Sequence, residues 1–448
     1  MEFLDKLVLP QSAHHMVLLK YLLVLTFILL IPYLSVLFGS LTLSLYFERK
    51  SAKTSDNKYY HFAKELIDQV TFNKGVAFAL GLVPMLSAAF CYAQLLHLSG
   101  LNVPGYILIS FLFLLAAVIL IYTYKYTYHL KEIFEFASNK SDSQSGIIEE
   151  LESYNFRTSH LHKRAGWYGI IFLTIAIYMF IGAVQSAVDT SNWQNGSDLI
   201  SIIISLDTIT YFLQFLAASI GLTSAYTLYR NFRSNSGKEH SSSGSIEFVK
   251  NFSLKTGLIA TIILPALIIL NIFSKPVESL SFNMFGASLA ALFLLLFISI
   301  LFYVMIKESS VKFSSMVIYL FVGVFTFIVI KDQFAFDTST KKQFAMLAAN
   351  YEEYQNKIKE EYGLAVEAIS GADIYNGKCI ACHKFDQKLV GPPYNETLPK
   401  YDGKRDQLIK FIMNPVKVNP DYPAMPNQGL KPKEAEAVAD YLLTTYKK

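Results

Sequence analysis

Long apolar stretches dominate the first three-quarters of this 448-residue chain. Eight of them are long enough to cross a bilayer as helices, which takes ~20 residues. The pattern predicts spans at 17–47, 75–99, 104–128, 166–188, 198–229, 254–274, 283–306 and 311–330. We therefore expect residues 1–330 to form an all-α transmembrane bundle of eight helices.

The polarity of the chain changes after residue 330. Residues 331–370 are rich in charged residues and good helix formers, which predicts a helical linker arm. Residues 371–448 differ again, because they carry the chain's one compact cysteine motif, and we expect them to form a separate C-terminal domain. The sequence thus predicts three parts: a membrane domain, an arm and a C-terminal domain.

The composition agrees with a membrane protein. Hydrophobic residues make up 53% of the chain and charged residues 17%, whereas a soluble domain carries about 25% charged residues. The formal net charge of +4 gives no reason to expect nucleic acid as a partner. The lipid bilayer is therefore the first partner that the sequence implies.

Lysine and arginine are distributed unevenly between the two sets of connections. The segments 48–74, 125–165, 230–255 and 307–312 hold 19 of them, whereas 1–16, 100–103, 189–197 and 275–282 hold 2. The positive-inside rule places the first set in the cytoplasm. The start "MEFLDKLVLP" has no basic region of the signal-peptide type, so we expect a retained first helix. Both chain ends are then expected on the outer side.

A compact chemical motif lies near the C-terminus, in the stretch "KCIACHKF" at 378–385. Cys379 and Cys382 could form a disulfide, bind zinc or bind haem. The spacing C-x-x-C followed at once by His is that of covalent haem c attachment. The adjacent His383 would then be the proximal iron ligand. The lone Cys91 lies in an apolar run, where cysteine usually behaves as a small hydrophobic residue.

A haem used for electron transfer needs a sixth iron ligand, and a methionine thioether raises its reduction potential. Two methionines are available in this region. Met413 lies in the helical pattern "LIKFIMNP", where methionine is usually a core residue. Met425 lies in "YPAMPNQ" between prolines, which stiffen a loop and fix the direction of the sulfur. Met425 is therefore the predicted distal ligand.

Residues 371–448 resemble a class I monohaem cytochrome c. "GADIYNGKCIACH" is similar to the first helix of that family running into its haem motif, and "LVGPPY" to its Gly-Pro turn. The resemblance implies that the carbonyl of Pro392 accepts a hydrogen bond from His383. It also implies that the first helix, with Gly371 and Tyr375, crosses the last helix at Tyr441.

Histidines in the membrane part are few, and none lies at the centre of a predicted span. This excludes a haem-copper oxidase core and the diheme subunit of a bc-type complex. On the outer side, His97 with His14 or His15 could ligate a b-type haem. On the inner side, His129 could pair with one of His61, His160 and His162. The alternative is that these are interfacial histidines with one wet end.

Three polar residues inside predicted spans invite a functional interpretation. Asp207, Gln185 and Gln214 could line a quinol site or a proton path. Hydrogen bonding between helices is the structural alternative.

These features predict a membrane-bound cytochrome c subunit of a respiratory electron-transfer complex in the bacterial inner membrane. Electrons would pass from quinol or another subunit to one haem c on the periplasmic side, and on to a redox partner. Whether the chain is itself an enzyme stays open. One alternative is a quinol:cytochrome c oxidoreductase with its own haem b. Another is an assembly subunit that tethers an electron-carrying cytochrome.

Overall fold

The computed structural model describes residues 10–140, 145–190, 193, 199–232, 243–362, 370–420 and 422–447. Over these residues the chain forms helices and turns, and no β-strand. The chain divides into two compact units, Met1–Tyr351 and Glu352–Lys448. The all-α fold class expected from the sequence is confirmed.

The first unit is a bundle of long helices. In chain order they are α1 (Ala13–Thr54), α2 (Asn57–Val70), α3 (Lys74–Leu95), α4 (Val103–Lys140), α5 (Ser145–Ser186), α6 (Leu206–Phe232), α7 (Ser243–Ser274), α8 (Phe282–Lys307), α9 (Ser314–Ser339) and α10 (Lys341–Glu361), whose second half belongs to the other unit. All but α2 and α10 are long and apolar enough to span a membrane, so the described residues contain the eight predicted spans.

The spans alternate in direction, which defines two faces of the bundle. Ala13 and Ser339 lie at one face, here called the terminal face. Thr54 and Lys307 lie at the other, here called the basic face because the Lys- and Arg-rich connections meet it. The basic face is the one that the sequence predicts to be cytoplasmic.

Pro84 shapes the first half of α3. Pro84 has no N–H to donate, and its ring clashes with the carbonyl one turn back. The helix responds with a wide π-turn at Phe78–Leu82, directly before the proline. Gly81 lies in this turn and contacts the ring of Tyr33 on α1. The turn thus removes the clash without ending the helix.

Helix α6 is the most buried of the eight spans. Glycines allow close approach on two sides, because Gly39 of α1 lies against Thr223, and Gly221 lies against Ala260 of α7. Small residues at helix contacts are usual in membranes, where close van der Waals contact replaces the hydrophobic effect. The polar side chains of α6 therefore face protein rather than lipid.

The predicted boundary at 330/331 is wrong for the last span. Helix α9 continues to Ser339, and Lys331 is buried inside the unit. A charged residue ended the apolar pattern, but its charge is neutralised within the bundle by Asp332, 3.0 Å away. The segment predicted as an arm therefore starts as membrane helix, and its residues 363–369 lie outside the described residues.

Other spans differ from their apolar segments in length or continuity. At the basic face, α4 continues past residue 128 to Lys140, and α5 begins at Ser145, well before residue 166. There Lys64 of α2 pairs with Glu132 of α4 at 2.5 Å. The segment 198–229 is split at Ser205 into a short helix, Leu199–Ile204, and α6. Hydropathy detects the lipid-exposed part of a helix, whereas charged helix formers extend it into water.

The second unit continues with short helices around a small core. They are α11 (371–379, ending in a π-turn), α12 (Arg405–Met413) and α13 (Pro432–Tyr446), with a helical turn at Tyr394–Thr397 between the first two. Leu408, Ala435, Val438, Ala439 and Leu442 are fully or almost fully buried in this core. Helices α11 and α12 thus both pack against the apolar face of α13.

The first and last helices of this unit cross as the sequence predicts. A side chain at Gly371 would collide with the carbonyl of Ala437, and the Cβ of Tyr441 would be 2.6 Å away. The rings of Tyr375 and Tyr441 lie with their centroids 5.6 Å apart. Only glycine allows this approach without moving the backbone of α13.

We expect Gly371→Ala to destabilise the C-terminal unit by about 1–3 kcal/mol, the usual cost of overpacking. Gly377→Ala is the matched control, because the added carbon meets nothing within 4 Å on the same helix. Denaturant unfolding of both variants measures the difference. Equal stability of the two variants would show that the crossing can widen freely.

The ion pair between α12 and α13 predicts a pH dependence. Arg405 donates through Nε and Nη2 to both carboxylate oxygens of Asp440 at 2.6 and 2.9 Å. These hydrogen bonds lower the pKa of the Asp440 carboxyl. The resulting stability is present above the unfolded pKa of Asp, near 4, and is lost as pH falls through the lower folded pKa.

Asp440→Asn should therefore lower the melting temperature of the unit at pH 7, and this deficit should vanish at a pH below the folded pKa. Asp406→Asn is the control, since its side chain is 90% exposed and only 4.0 Å from the same guanidinium. A deficit that stays constant from pH 7 to pH 2 would contradict the assignment. The melting curves can be followed by circular dichroism.

Candidate functional site

The cysteine motif forms a tight turn at the end of α11. The amides of Cys382 and His383 both donate to the carbonyl of Cys379, at 3.1 and 2.9 Å. Two residues between the cysteines thus complete one helical turn and bring both thiols to one side. His383 follows directly on the same turn, so these three residues, which are close in sequence, also lie close together in space.

Three neighbours fix the orientation of the His383 imidazole. Its Nδ1 lies 3.0 Å from the carbonyl oxygen of Pro392, which can only accept, so Nδ1 carries the proton and donates. The ring of Tyr394 stacks on it at 4.9 Å, with an angle of 12° between the planes. Gly391 contacts the imidazole so closely that any side chain there would displace it. Nε2 is left as the free ring nitrogen with its lone pair.

The backbone and the aromatic neighbour stabilise this arrangement. The amide of Gly391 donates to the carbonyl of Cys382 at 2.9 Å, which ties the Gly-Pro turn to the cysteine motif. Burial raises the pKa of the Tyr394 phenol, so it remains neutral at physiological pH. The site therefore places a neutral aromatic ring and a fixed imidazole together.

A cavity of about 540 Å³ adjoins this motif. Its wall includes Cys379, Cys382, His383, Pro392 and Met425. Met413 does not belong to the wall. It packs against the core, and its carbonyl accepts a hydrogen bond from Asn427 at 2.9 Å. Of the two candidate methionines, the structure brings Met425 to the cysteine motif.

The cavity fits the group that the sequence suggests. Its volume lies within the ~300–1,000 Å³ usual for cofactor sites. Two thiols, one imidazole nitrogen and one thioether sulfur reach the same space, and this donor set matches a covalently held haem with two axial ligands. A zinc interpretation lacks support, since no group of three or more potential His, Cys, Asp or Glu ligands occurs among the described residues.

Helix order, the cysteine motif and the methionine loop together define a class I monohaem cytochrome c domain. Residues 368–446 match the family described as "Cytochrome c". Through this domain the chain belongs to the cytochrome c family, whose members carry electrons on a covalently attached haem c. The membrane bundle adds membrane association.

Three bacterial relatives support the assignment. The domain is 32% identical to cytochrome c-551 of Pseudomonas denitrificans over 80 residues, which is 17% of this chain and 96% of the relative. It is 34% identical over 79 residues to cytochrome c-551 of Azotobacter vinelandii, with the same coverage. Cytochrome c-552 of Nitrosomonas europaea is 34% identical over 71 residues, 15% of this chain and 68% of the relative. No solved structure matches the chain.

The structure gives the expected haem b at the terminal face no support. His14 and His15 are exposed in the first turn of α1, whereas His97 is buried and its carbonyl accepts from Gln343 of α10 at 2.6 Å. None of the three lines either the cytochrome cavity or the small cavity between α1, α5, α6 and α9.

At the basic face, two of the histidines have other partners. Both ring nitrogens of His162 are engaged, by Thr127 at 2.7 Å and Glu48 at 3.1 Å. His129 lies 3.4 Å from Asp68. An imidazole with both nitrogens bonded has no lone pair left for iron, so His162 is a structural residue here.

Asp207 and Gln185 belong to a buried ionic cluster that sequence reasoning found only in part. Lys275 lies 3.6 Å from Asp207 and donates to Gln185 at 2.7 Å. Lys331 donates to Asn271 at 2.7 Å, and Asn271 donates to Asp207 at 3.2 Å.

The cluster continues on α9, where Asp332 pairs with Lys331 and accepts a hydrogen bond from the Tyr211 hydroxyl. In the sequence, Lys331 and Asp332 appear as the pair "KD" directly after the last apolar run. This position suggests the start of a solvated arm and hides their role in the cluster. We call Asp207, Lys275, Lys331 and Asp332 the ion cluster.

Proposed function

We propose that the chain is the membrane-bound cytochrome c subunit of a respiratory electron-transfer complex. Cys379 and Cys382 would hold the haem covalently, and His383 and Met425 would ligate its iron. When bound, the haem supplies a one-electron couple. The observation that carries the proposal is the convergence of these four side chains on one cavity.

The protein groups would act by holding the coordination sphere fixed. The hydrogen bond from His383 to the Pro392 carbonyl fixes the imidazole and increases the basicity of its other nitrogen, as such hydrogen bonds do for histidines that ligate metals. Pro423 and Pro426 flank Met425 and stiffen its loop. His383 and Met425 would together hold the iron, which favours electron transfer over substrate binding at this site.

The charge around the cavity favours an acidic redox partner. Lys378, Lys388, Lys400 and Lys417 all belong to its wall, together with a single acid, Glu396, so the wall has an excess of positive charge. A cluster of one sign attracts a complementary surface and speeds encounter, in a manner that salt weakens. Other subunits of the complex, quinol and the lipid bilayer are the remaining proposed partners.

The distribution of basic residues supports a location in the bacterial inner membrane with the cytochrome domain in the periplasm. With an even number of spans, the two ends of the bundle lie on the same face. The positive-inside rule assigns that face to the outside. Haem c attachment outside the cytoplasm agrees with this orientation.

The axial ligand can be tested with a matched pair of variants. Met425→Leu should remove the thioether–iron absorption band and lower the reduction potential, since axial ligands set haem potentials over a range of roughly 0.8 V. Met413→Leu should change neither property, because Met413 packs in the core. Optical redox titration measures both. Loss of the band in Met413→Leu alone would reverse the assignment.

The electron route requires a second experiment. In membranes that contain the complete complex, added quinol should reduce the haem c, whereas the purified chain alone should remain oxidised. His97→Ala should leave the rate in membranes unchanged. Rapid reduction of the purified chain, with haem b in its pyridine haemochrome spectrum, would instead identify a quinol:cytochrome c oxidoreductase. Absence of reduction in membranes would leave the tethered-cytochrome alternative.

A further inference from the structure

We propose that the membrane unit contains a water-lined proton path between α1 and α6. The path would run from Gln69 at the basic face to the ion cluster near the terminal face. This inference goes beyond electron transfer by the haem and does not depend on it. It rests on three observations: the buried charges, a cavity beside them, and a series of buried oxygens without partners.

The ion cluster provides groups that can accept and release protons. The side chains of Lys275 and Lys331 are 0% and 1% exposed, and Asp207 is also buried. Ionisable residues inside membrane spans are costly to bury and commonly mark ion pathways or proton relays. Two lysines and two aspartates balance in charge, so a carboxylate that takes up a proton leaves one lysine charge uncompensated, which favours onward release of the proton.

A small cavity adjoins Asp332 on the side that faces α1. Its volume is about 40 Å³, and its polar lining residues are Asp332, Tyr211 and Gln185. A water molecule needs roughly 10–15 Å³ of such space and two to four polar partners. The cavity therefore has room for water beside the Asp332 carboxylate. It extends along α1 to Leu34, the residue directly before Ser35.

From Ser35 onward, buried oxygens continue toward the basic face. Ser35 Oγ, Thr223 Oγ1, Ser224 Oγ and Gln69 Oε1 are buried and have no hydrogen-bond partner among the described protein groups. Other hydroxyls of α1 and α6 do have one: Thr42 and Ser219 each donate to the carbonyl one turn back at 2.8 Å. Buried polar atoms normally find partners, and water is the usual one when protein provides none.

The contacts between helices place these oxygens in order. Thr223 lies against Gly39, which is one turn from Ser35 on α1. Thr227, one turn further along α6, accepts a hydrogen bond from Gln69 at 3.2 Å. One turn rises ~5.4 Å, about the span of two hydrogen bonds of ~2.8 Å. In the proposed path, one water bridges each step to the next.

Both ends of the path lie next to titratable groups that reach water. At the basic face, Asp68 precedes Gln69 and lies 3.4 Å from His129, whose side chain is 43% exposed. Burial raises the pKa of Glu65, one turn earlier on α2, which favours its protonated form. At the terminal face, Asp337 follows Asp332 on α9 and pairs with Lys20 at 2.9 Å. A proton would enter at the first group, reach Asp332 through water and hydroxyls, and leave toward Asp337.

The structural alternative is that these polar residues only join helices. In that case the unpaired hydroxyls contribute nothing to function, and the protein does not conduct protons. The two interpretations predict different proton fluxes for substitutions that remove one hydroxyl while keeping the volume of the side chain similar. The chain offers partnered and unpartnered hydroxyls of the same type on the same two helices.

The test uses the full-length haem-containing chain in liposomes with a pH-sensitive dye inside. A potassium diffusion potential, negative inside and set with valinomycin, drives protons inward. We expect acidification faster than in empty liposomes. Thr223→Val and Ser35→Ala should each reduce it to the rate of empty liposomes, and Asp332→Asn should do the same.

Thr42→Val and Ser219→Ala are the matched controls and should retain the wild-type rate. Haem content and gel-filtration profile confirm folding, and Ser35→Ala remains informative if Thr223→Val does not fold. A wild-type rate equal to that of empty liposomes would overturn the proposal. So would equal loss in the controls, or unchanged flux in both Ser35→Ala and Thr223→Val. Flux that disappears when choline replaces all sodium would overturn the assignment to protons.

Discussion

Four paired charges near the terminal face, three of them buried, connect helices α6, α7 and α9 of the membrane unit. Lys331 and Asp332 on α9 bond to the end of α7 and the start of α6 through Asn271 and Tyr211. Away from bulk water, each of these groups must find a partner within the protein or in a confined water molecule. Removing one member of a buried pair typically costs about 3–5 kcal/mol, because its partner keeps an uncompensated charge. The length of α9 and the position of α6 at the centre of the bundle both follow from this constraint.

The same constraint explains which features the sequence predicts. Hydropathy identifies the eight spans because lipid selects apolar residues along most of each helix. It misplaces the end of α9 because it treats Lys331 as a boundary, and the partners of Lys331 lie on helices distant in sequence. Hydropathy also underestimates the length of α4 and α5, because the charged parts of these helices extend into water. These errors arise because ion pairs between distant helices and contact with water cannot be inferred from a single segment of the sequence.

The cytochrome domain is easier to predict, because its chemistry depends on local spacing. Cys379, Cys382 and His383 fall within one helical turn, so their sequence separation sets their geometry. The prediction of Met425 over Met413 follows from a proline-bounded loop compared with a helix, and of the two only Met425 lies in the cavity wall. The close contact of Gly391 with His383 cannot be predicted from the sequence. A glycine in a turn suggests backbone freedom, and only the folded structure shows that a side chain would displace the imidazole.

The charges within α9 have a consequence for the synthesis of the protein. A lysine and an aspartate each make insertion of an isolated helix less favourable, by up to about 2.5–3.5 kcal/mol at the bilayer centre and less near its edge. The partners of Lys331 and Asp332 lie on α6 and α7, which leave the ribosome earlier. Stable insertion of α9 is thus favoured after those helices are in place. The chain behind α9 is the cytochrome domain, so in the proposed orientation the assembly of the bundle would determine when Cys379 and Cys382 leave the cytoplasm.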